Sequence, residues 1–556
     1  MTRPHEGPIP AGDSPAMPGT KKDLKFWLIL LSLCLCMFVS ALDFTGLSTA
    51  LPVISNDLRG GDFAWVGTAY AISATAVLPL TGGFAEIFGR RATMVITLLL
   101  FLLGSALCGA AQHMNWLIAA RVVQGLGGGG LLSVPSIIVS DLVALHERGA
   151  YQSMFGLTWA FASAIAPLVA GALAQHGQWR WFFYMNLPIS GAALVAVLVF
   201  VTLPTPPGTF MEKLLRIDWI GNLIIVGSTT SLIIGLTWGG VNFAWGSAQV
   251  LVPLILGILG LVAFIVYEGL VPKHPLVPWT ILHNLTSLSG FLQTFFHPVV
   301  TVAVMYYLPA YYQACKDASP IRSAVLMLSM ALVTSPTTII GSVSVNVTQK
   351  YRPQLWIAWV IYVAGIGSLI SIHADSSLAL SVGLTVLVAF GSGIIYTGVY
   401  YPVLAPLPVS QNAAAISFLS FLRTFAGVWG IAIGATILQN ELSRRLPDAF
   451  LAEIAAGNTG SASSSAQLAY SIIPIIRTLP EPLKHEVRVA FADGVSRIWI
   501  VMTALGAAGL ASSFLMRDVP MQKIVDPKWV LENKAASTSD ESVRVDAPAA
   551  LPKEVA

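Results

Sequence analysis

Charge is what this sequence has least of. Only 10% of its 556 residues are Asp, Glu, Lys or Arg, against roughly a quarter in soluble proteins. At the same time 55% are hydrophobic and the mean hydropathy is +0.74. That balance excludes an ordinary water-soluble globule and puts the chain in a bilayer. The net charge of +3, with no basic patch interleaved with aromatics, does not point to nucleic acid. Cysteine is scarce: Cys34, Cys36, Cys108 and Cys315 lack metal-ligand spacing and three lie in apolar runs, which argues against a disulfide framework. Nine histidines are scattered without chelating spacing, so no metal is expected and a membrane-embedded enzyme is disfavoured. The phosphate-cradling run G-x-x-x-x-G-K-[ST] is missing, which excludes ATP as the direct driver of any work. The first 20 residues are rich in Pro and Gly and lack an apolar core, so no cleaved signal peptide is expected and the first apolar run serves as its own signal.

What the chain has in abundance is long apolar runs. About fourteen reach the roughly 20 residues that cross a bilayer as a helix, at 26–50, 64–84, 92–111, 116–140, 151–175, 181–203, 218–238, 250–270, 288–311, 323–345, 354–373, 378–401, 414–438 and 496–516. The expectation is an all-α polytopic membrane protein of 14 transmembrane helices, with two six-helix pseudo-repeats and two inserted helices between them. Residues 1–25 and 517–556 read as disordered tails, 26–203 as the first half, 204–270 as a linker carrying the inserted spans, and 271–516 as the second half, with 439–495 a long external loop. Lys and Arg concentrate in the tails and even-numbered loops rather than the short odd-numbered ones, so both termini are expected on the cytoplasmic side.

The tightest charged turn lies between the second and third runs, Thr81 to Met94, TGGFAEIFGRRATM. Its Gly82, Glu86, Gly89, Arg90 and Arg91 fit G-x-x-x-[DE]-x-x-G-R-R and resemble the loop signature of the major facilitator superfamily. Glu86 stands where Asp is usual, and Ile87 where a basic residue is common. A degenerate echo, Gly341 to Arg352 (GSVSVNVTQKYR), sits where a second half would repeat that loop. In the first span, Leu42-Asp43-Phe-Thr45 leading to Ala50-Leu51-Pro52 resembles the first-helix signature of the fourteen-span drug:proton antiporters. In the fourth, Arg121-Val-Val-Gln124-Gly125 resembles the superfamily's R-x-x-Q-G. In the fifth, Ala162-x-x-x-Ala166-Pro167-x-x-Ala170-Gly171 resembles the antiporter run G-x-x-x-G-P-x-x-G-G, with alanine in place of three glycines. Trp179-Arg-Trp181-Phe-Phe-Tyr184-Met-Asn186-Leu-Pro188 matches the family's W-R-W-x-F-x-x-N-x-P, and Arg423, followed by Gly427, Gly430 and Gly434, looks like its R-x-x-G-x-x-G stretch in the second half.

An acid inside an apolar helix costs about 2.5–3.5 kcal/mol on insertion scales and normally faces a cavity or a partner; the alternative for Asp43 is an interfacial acid reaching outward. Asp43 lies roughly 10 Å, and Arg121 roughly 8 Å, from the outer ends of their spans at 1.5 Å per residue, so the two are expected to share one polar cavity, with Gln124 a turn deeper. The resemblance implies a proton-coupled efflux transporter of the fungal drug and toxin type, with Asp43 and Arg121 as the proton-coupling pair. Gly82, Glu86, Gly89, Arg90, Arg91, Pro167 and Gly171 would serve gating, the arginine pair bridging the two halves. Trp65, Tyr70, Gln124, Trp159, Phe295, His297, Tyr306, Phe418 and Arg423 are the candidates for the substrate cavity; for Arg423, substrate binding, a carboxylate partner and backbone carbonyls stay open. The implied partners are a small, largely apolar organic substrate, protons and the lipid bilayer. No cofactor is implied, and the chain is expected to be a monomer in the plasma membrane, a vacuolar or vesicle membrane being the alternative. An importer of siderophores or nutrients would share the same fold.

Overall fold

The computed structural model describes residues 22–58, 64–240, 243–271, 277, 281, 283–448, 450, 473 and 476–521. Most of both predicted tails and most of the segment before the last helix lie outside these. The described chain is helical, and its spanning helices are numbered here in chain order: α1 (Leu24–Asp57), α2 (Ala64–Ile87), α3 (Arg90–Gly109), α4 (Met114–Leu142), α5 (Leu145–Gln175), α6 (Arg180–Phe200), α7 (Trp219–Trp238), α8 (Ala248–Leu270), α9 (Leu285–Cys315), α10 (Pro320–Thr348), α11 (Arg352–Ser371), α12 (Leu378–Leu404), α13 (Asn412–Arg445) and α14 (Leu483–Ser513). Thirteen of them are long and apolar enough to cross a membrane. α2 is long enough at 24 residues, but it carries Thr68, Ser73, Thr75 and Thr81 along with three glycines. It can afford that polarity because it is enclosed by α4, α7 and α13.

The packing repeats itself. In the first six helices α1 lies against α5 and α6, α4 lies against α2 and α3, and α3 meets α6. Among the last six, α9 lies against α13 and α14, α12 against α10 and α11, and α11 meets α14. The same pattern of neighbours occurs twice, eight helices apart. The two groups then meet through α2 with α13 and α5 with α10, a reciprocal pair of seams. α7 touches α2 and α13, whereas α8 leans mainly on α7. In the first group, backbones approach closely where side chains are small: a Cβ on Gly127 would stand 2.4 Å from the Phe101 backbone nitrogen of α3. Without a hydrophobic drive between helices in lipid, such contact is what holds them.

One boundary differs from the sequence reading. The segment between the last two spans was expected to run over 439–495, yet α13 continues to Arg445 and α14 already begins at Leu483. The apolar-run rule stops at the first charges, but a helix does not have to. Arg445 holds Glu441 and Asp493 at 2.8 Å each, tying the two polar helix ends together. Arg488 and Lys484 of α14 both pair with Asp317.

Candidate functional site

Asp43 and Arg121 do meet. Their side chains are 0% and 1% exposed, and Nη1 of Arg121 donates to Oδ2 of Asp43 at 2.5 Å. Nε of the same arginine donates to the Val66 carbonyl at 3.0 Å, and its guanidinium lies 4.4 Å from the centre of the Tyr70 ring. The other carboxylate oxygen of Asp43 accepts from Gln124 Nε2 at 2.9 Å and from Asn186 Nδ2 at 3.0 Å. Gln124 is itself held by Ser105 Oγ at 2.9 Å, and its Oε1 accepts from Arg121 at 2.6 Å and from Cys108 Sγ at 3.4 Å. Four helices, α1, α3, α4 and α6, are thus pinned at one charged knot, with α2 contributing Tyr70. Asp43 is no interfacial acid. Asn186 escaped the sequence reading, which took its run only as a family signature; an amide inside an apolar span carries the same signal as Asp43 does.

The charged turn between α2 and α3 is built differently from the expectation. Arg90 is buried and pairs with Asp141 of α4 at 2.8 Å, both side chains 2% exposed, and its Nη1 donates to the Ala85 carbonyl at 3.0 Å. Arg91 donates to the Leu198 carbonyl of α6 at 2.5 Å. Each arginine thus has a partner within the first group, Arg90 on α4 and Arg91 on α6, where the expectation set the pair across the two groups. Glu86 is half-buried in the last turn of α2. Gly89 has φ +96°, a backbone that L side chains rarely adopt, and turns the chain into α3.

The bridge between groups is made by small residues. A Cβ on Gly82 would stand 2.6 Å from Ser417 Oγ and 2.9 Å from the Ala413 carbonyl, both on α13. Thr81 and Ser417 share a hydrogen bond of 3.1 Å, as do Ser153 of α5 and Ser342 of α10. These contacts all lie at the α2–α3 turn end of the bundle, so the two groups are closed there.

The remaining candidates scatter. His297 is buried, with Nε2 2.9 Å from Ser392 Oγ and 3.2 Å from Thr301 Oγ1. Arg423 donates through Nη2 to the Tyr396 carbonyl at 2.8 Å, with its guanidinium 3.9 Å from the Tyr396 ring centre and 5.4 Å from that of Tyr400. Phe418 packs on Phe291 at 5.1 Å, Phe295 on Trp429 at 6.4 Å, and Trp159 on Phe44 at 6.2 Å. Trp65 meets Trp238 of α7 edge-on at 5.9 Å and so belongs to the flank where the inserted helices dock. Tyr306 is 46% exposed, beside Tyr307. Gly171 would meet nothing within 4 Å if it carried a Cβ, whereas Ala162, Ala166 and Ala170 are fully buried. The packing stripe of α5 is made by the alanines. Pro167, like Pro52 of the first-span signature, has a side chain outside the described residues.

Two repeated six-helix groups meeting along two reciprocal seams, with a buried acid–arginine knot inside the first, have the architecture of a membrane transporter. The chain belongs to the Major Facilitator Superfamily, whose family model matches residues 33–431. It is 37% identical over 543 residues to the MFS-type efflux pump LUC4 of a Fusarium species, covering 96% of this chain and 94% of that protein. It is 35% identical over 530 residues to the efflux pump FUS6 of Gibberella fujikuroi, covering 94% of each. The solved proton:xylose symporter XylE has the same fold, with a TM-score of 0.56 at 13% identity over 90% of this chain and 97% of that one.

Proposed function

We propose that this chain is a proton-coupled exporter of small, largely apolar organic compounds, a transporter and not an enzyme, working as a monomer without a cofactor. Its relatives LUC4 and FUS6 carry the name efflux pump, and the Asp43–Arg121 pair supplies the titrating group. The Lys/Arg bias of the α2–α3 turn and the tails supports a cytoplasmic side for that end and for both termini, and the plasma membrane is the membrane we assign. The closed end is then cytoplasmic.

The observation carrying the coupling is that one carboxylate, fully buried, accepts three hydrogen bonds from three different residues on two other helices. A proton delivered from the outer face would go to Asp43, cancel its charge and remove the acceptor that ties α1 to α4 and α6. The freed arginine and amides then re-pair as the two groups rock. Facing inward, Asp43 gives up its proton and the knot reforms while substrate loads. No bond is made or broken in the cargo.

The test is uphill movement of a fluorescent apolar drug into sealed inside-out vesicles with an imposed pH gradient. Asp43→Asn, which mimics the protonated acid, should abolish gradient-driven accumulation while leaving downhill exchange. Accumulation by that variant in response to the gradient would remove Asp43 from the coupling role.

A further inference from the structure

Among the described residues of the second six-helix group, Arg423 is a cation inside a span with no carboxylate beside it. Across α9 to α14 the only acids are Glu441, Glu486 and Asp493. Glu441 and Asp493 are both claimed by Arg445 at the other end of α13. At 1.5 Å per residue, Glu441 is roughly 27 Å along the helix from Arg423. Among the described residues no carboxylate stands within ion-pair distance of Arg423. In the first group Asp43 answers Arg121 and Asp141 answers Arg90, while Arg148 rests on the Val143 and Ser140 carbonyls. Its own protein contacts leave the Arg423 guanidinium under-used. Of five N–H donors, one is spent on the Tyr396 carbonyl and another on the Tyr400 hydroxyl, while Nε is buried without a hydrogen-bond partner. The rings of Tyr396 and Tyr400 cushion its charge but cannot neutralise it.

Its place is equally telling. Arg423 is six residues beyond Ser417, the residue that closes the seam against Thr81, so it stands roughly 9 Å past that contact along α13. Tyr400, beneath it, also hydrogen-bonds Ser136 of α4 in the other group. The guanidinium therefore sits directly above the closed end, where the two groups part. An intramembrane arginine without a carboxylate is costly to maintain unless something else brings the negative charge.

We propose that the cargo brings it: Arg423, on its Tyr396–Tyr400 cushion, is the substrate-binding residue for an anionic head, a carboxylate or an equally acidic oxygen, on an otherwise apolar molecule. This deepens the export reading by naming the substrate class. The planar fork of arginine suits a two-oxygen head better than lysine does.

Binding of dansyl-undecanoic acid and of its methyl ester to the purified full-length protein at neutral pH separates charge from apolarity. Wild type should prefer the acid by about tenfold or more, the usual scale of a charge-assisted bidentate contact. Arg423→Gln should bring that preference close to one, while ester binding is kept. Arg423→Lys should retain part of it and serves if the glutamine variant does not fold. No preference in wild type, or an unchanged preference in either variant, overturns the assignment. Gradient-driven extrusion of the two probes from proteoliposomes keeps this distinct from the export reading. Ester extruded without acid preference leaves export standing and removes the anion site. Acid-selective binding with neither probe extruded keeps the anion site and sinks export.

Discussion

Gly82 is where the closed end can be wedged open, and the size of the effect follows from the geometry. A methyl group there would lie 2.6 Å from Ser417 Oγ and 2.9 Å from the Ala413 carbonyl. The serine hydroxyl can swing aside, but the carbonyl belongs to the backbone of α13 and cannot. Relief has to come from separating α2 and α13, and overpacking of this kind costs about 1–3 kcal/mol. The penalty falls only on the state in which the seam is shut, so Gly82→Ala should shift the equilibrium toward the opened seam by about 5–150-fold. A single reporter cysteine at Ser342, buried across the other seam from Ser153, in a background with the four native cysteines replaced, reads this directly. Its rate of maleimide labelling should rise by that factor in the Gly82→Ala protein. Gly171→Ala, where the methyl would meet nothing, is the matched control and should leave the rate alone. Equal labelling in wild type and Gly82→Ala would mean the seam is not the gate.

Arg90→Ala and Asp141→Ala each strand a buried charge and should each cost about 3–5 kcal/mol, seen as a lower melting temperature in detergent, whereas replacing both with apolar residues should recover most of the loss; additive losses in the double variant would show the pair is not coupled. Asn186→Ala removes one of three donors to Asp43 and should reduce gradient-driven transport while leaving downhill exchange; unaltered coupling would make the amide mere packing. At the opposite end, Trp179 and then Arg180 hold the Asp57 carboxyl below its ordinary 3.8 through hydrogen bonds of 2.9 Å each. That contact is present above the ordinary carboxylate range and is lost as pH falls through the lowered value. Trp179 emission should therefore titrate on the acid side in wild type and not in Asp57→Asn, and an identical titration in both would sink the assignment.

The helices were legible because lipid demands long apolar runs, and little else in a sequence resembles them. Ends were less so: α1 runs on to Asp57 and α14 starts well before its apolar stretch, since a helix protruding from the bilayer can be held by ion pairs that hydropathy reads as a break. The Asp43–Arg121 pairing could be found from depth alone, because both charges are out of place in an apolar span and lie at matching heights. The partner of Arg90 could not. Asp141 is an ordinary-looking acid at a helix end, and only the packing of α4 against the α2–α3 turn brings it into reach. Nor could the sequence separate Trp65 from Tyr70. One turn or so apart on α2, they face a neighbouring inserted helix and the charged knot, respectively.

The docking of α7 has a consequence for traffic through the bilayer. By touching both α2 and α13 it straps one of the two seams from the side, and α8 backs it. The reciprocal seam between α5 and α10 has no such neighbour among the described helices. A twofold-symmetric body would offer a lipid-dissolved molecule two equivalent doors; here one is walled off by an added hairpin. Any sideways access from the membrane would fall to a single flank, and the inserted hairpin gives the protein a front and a back.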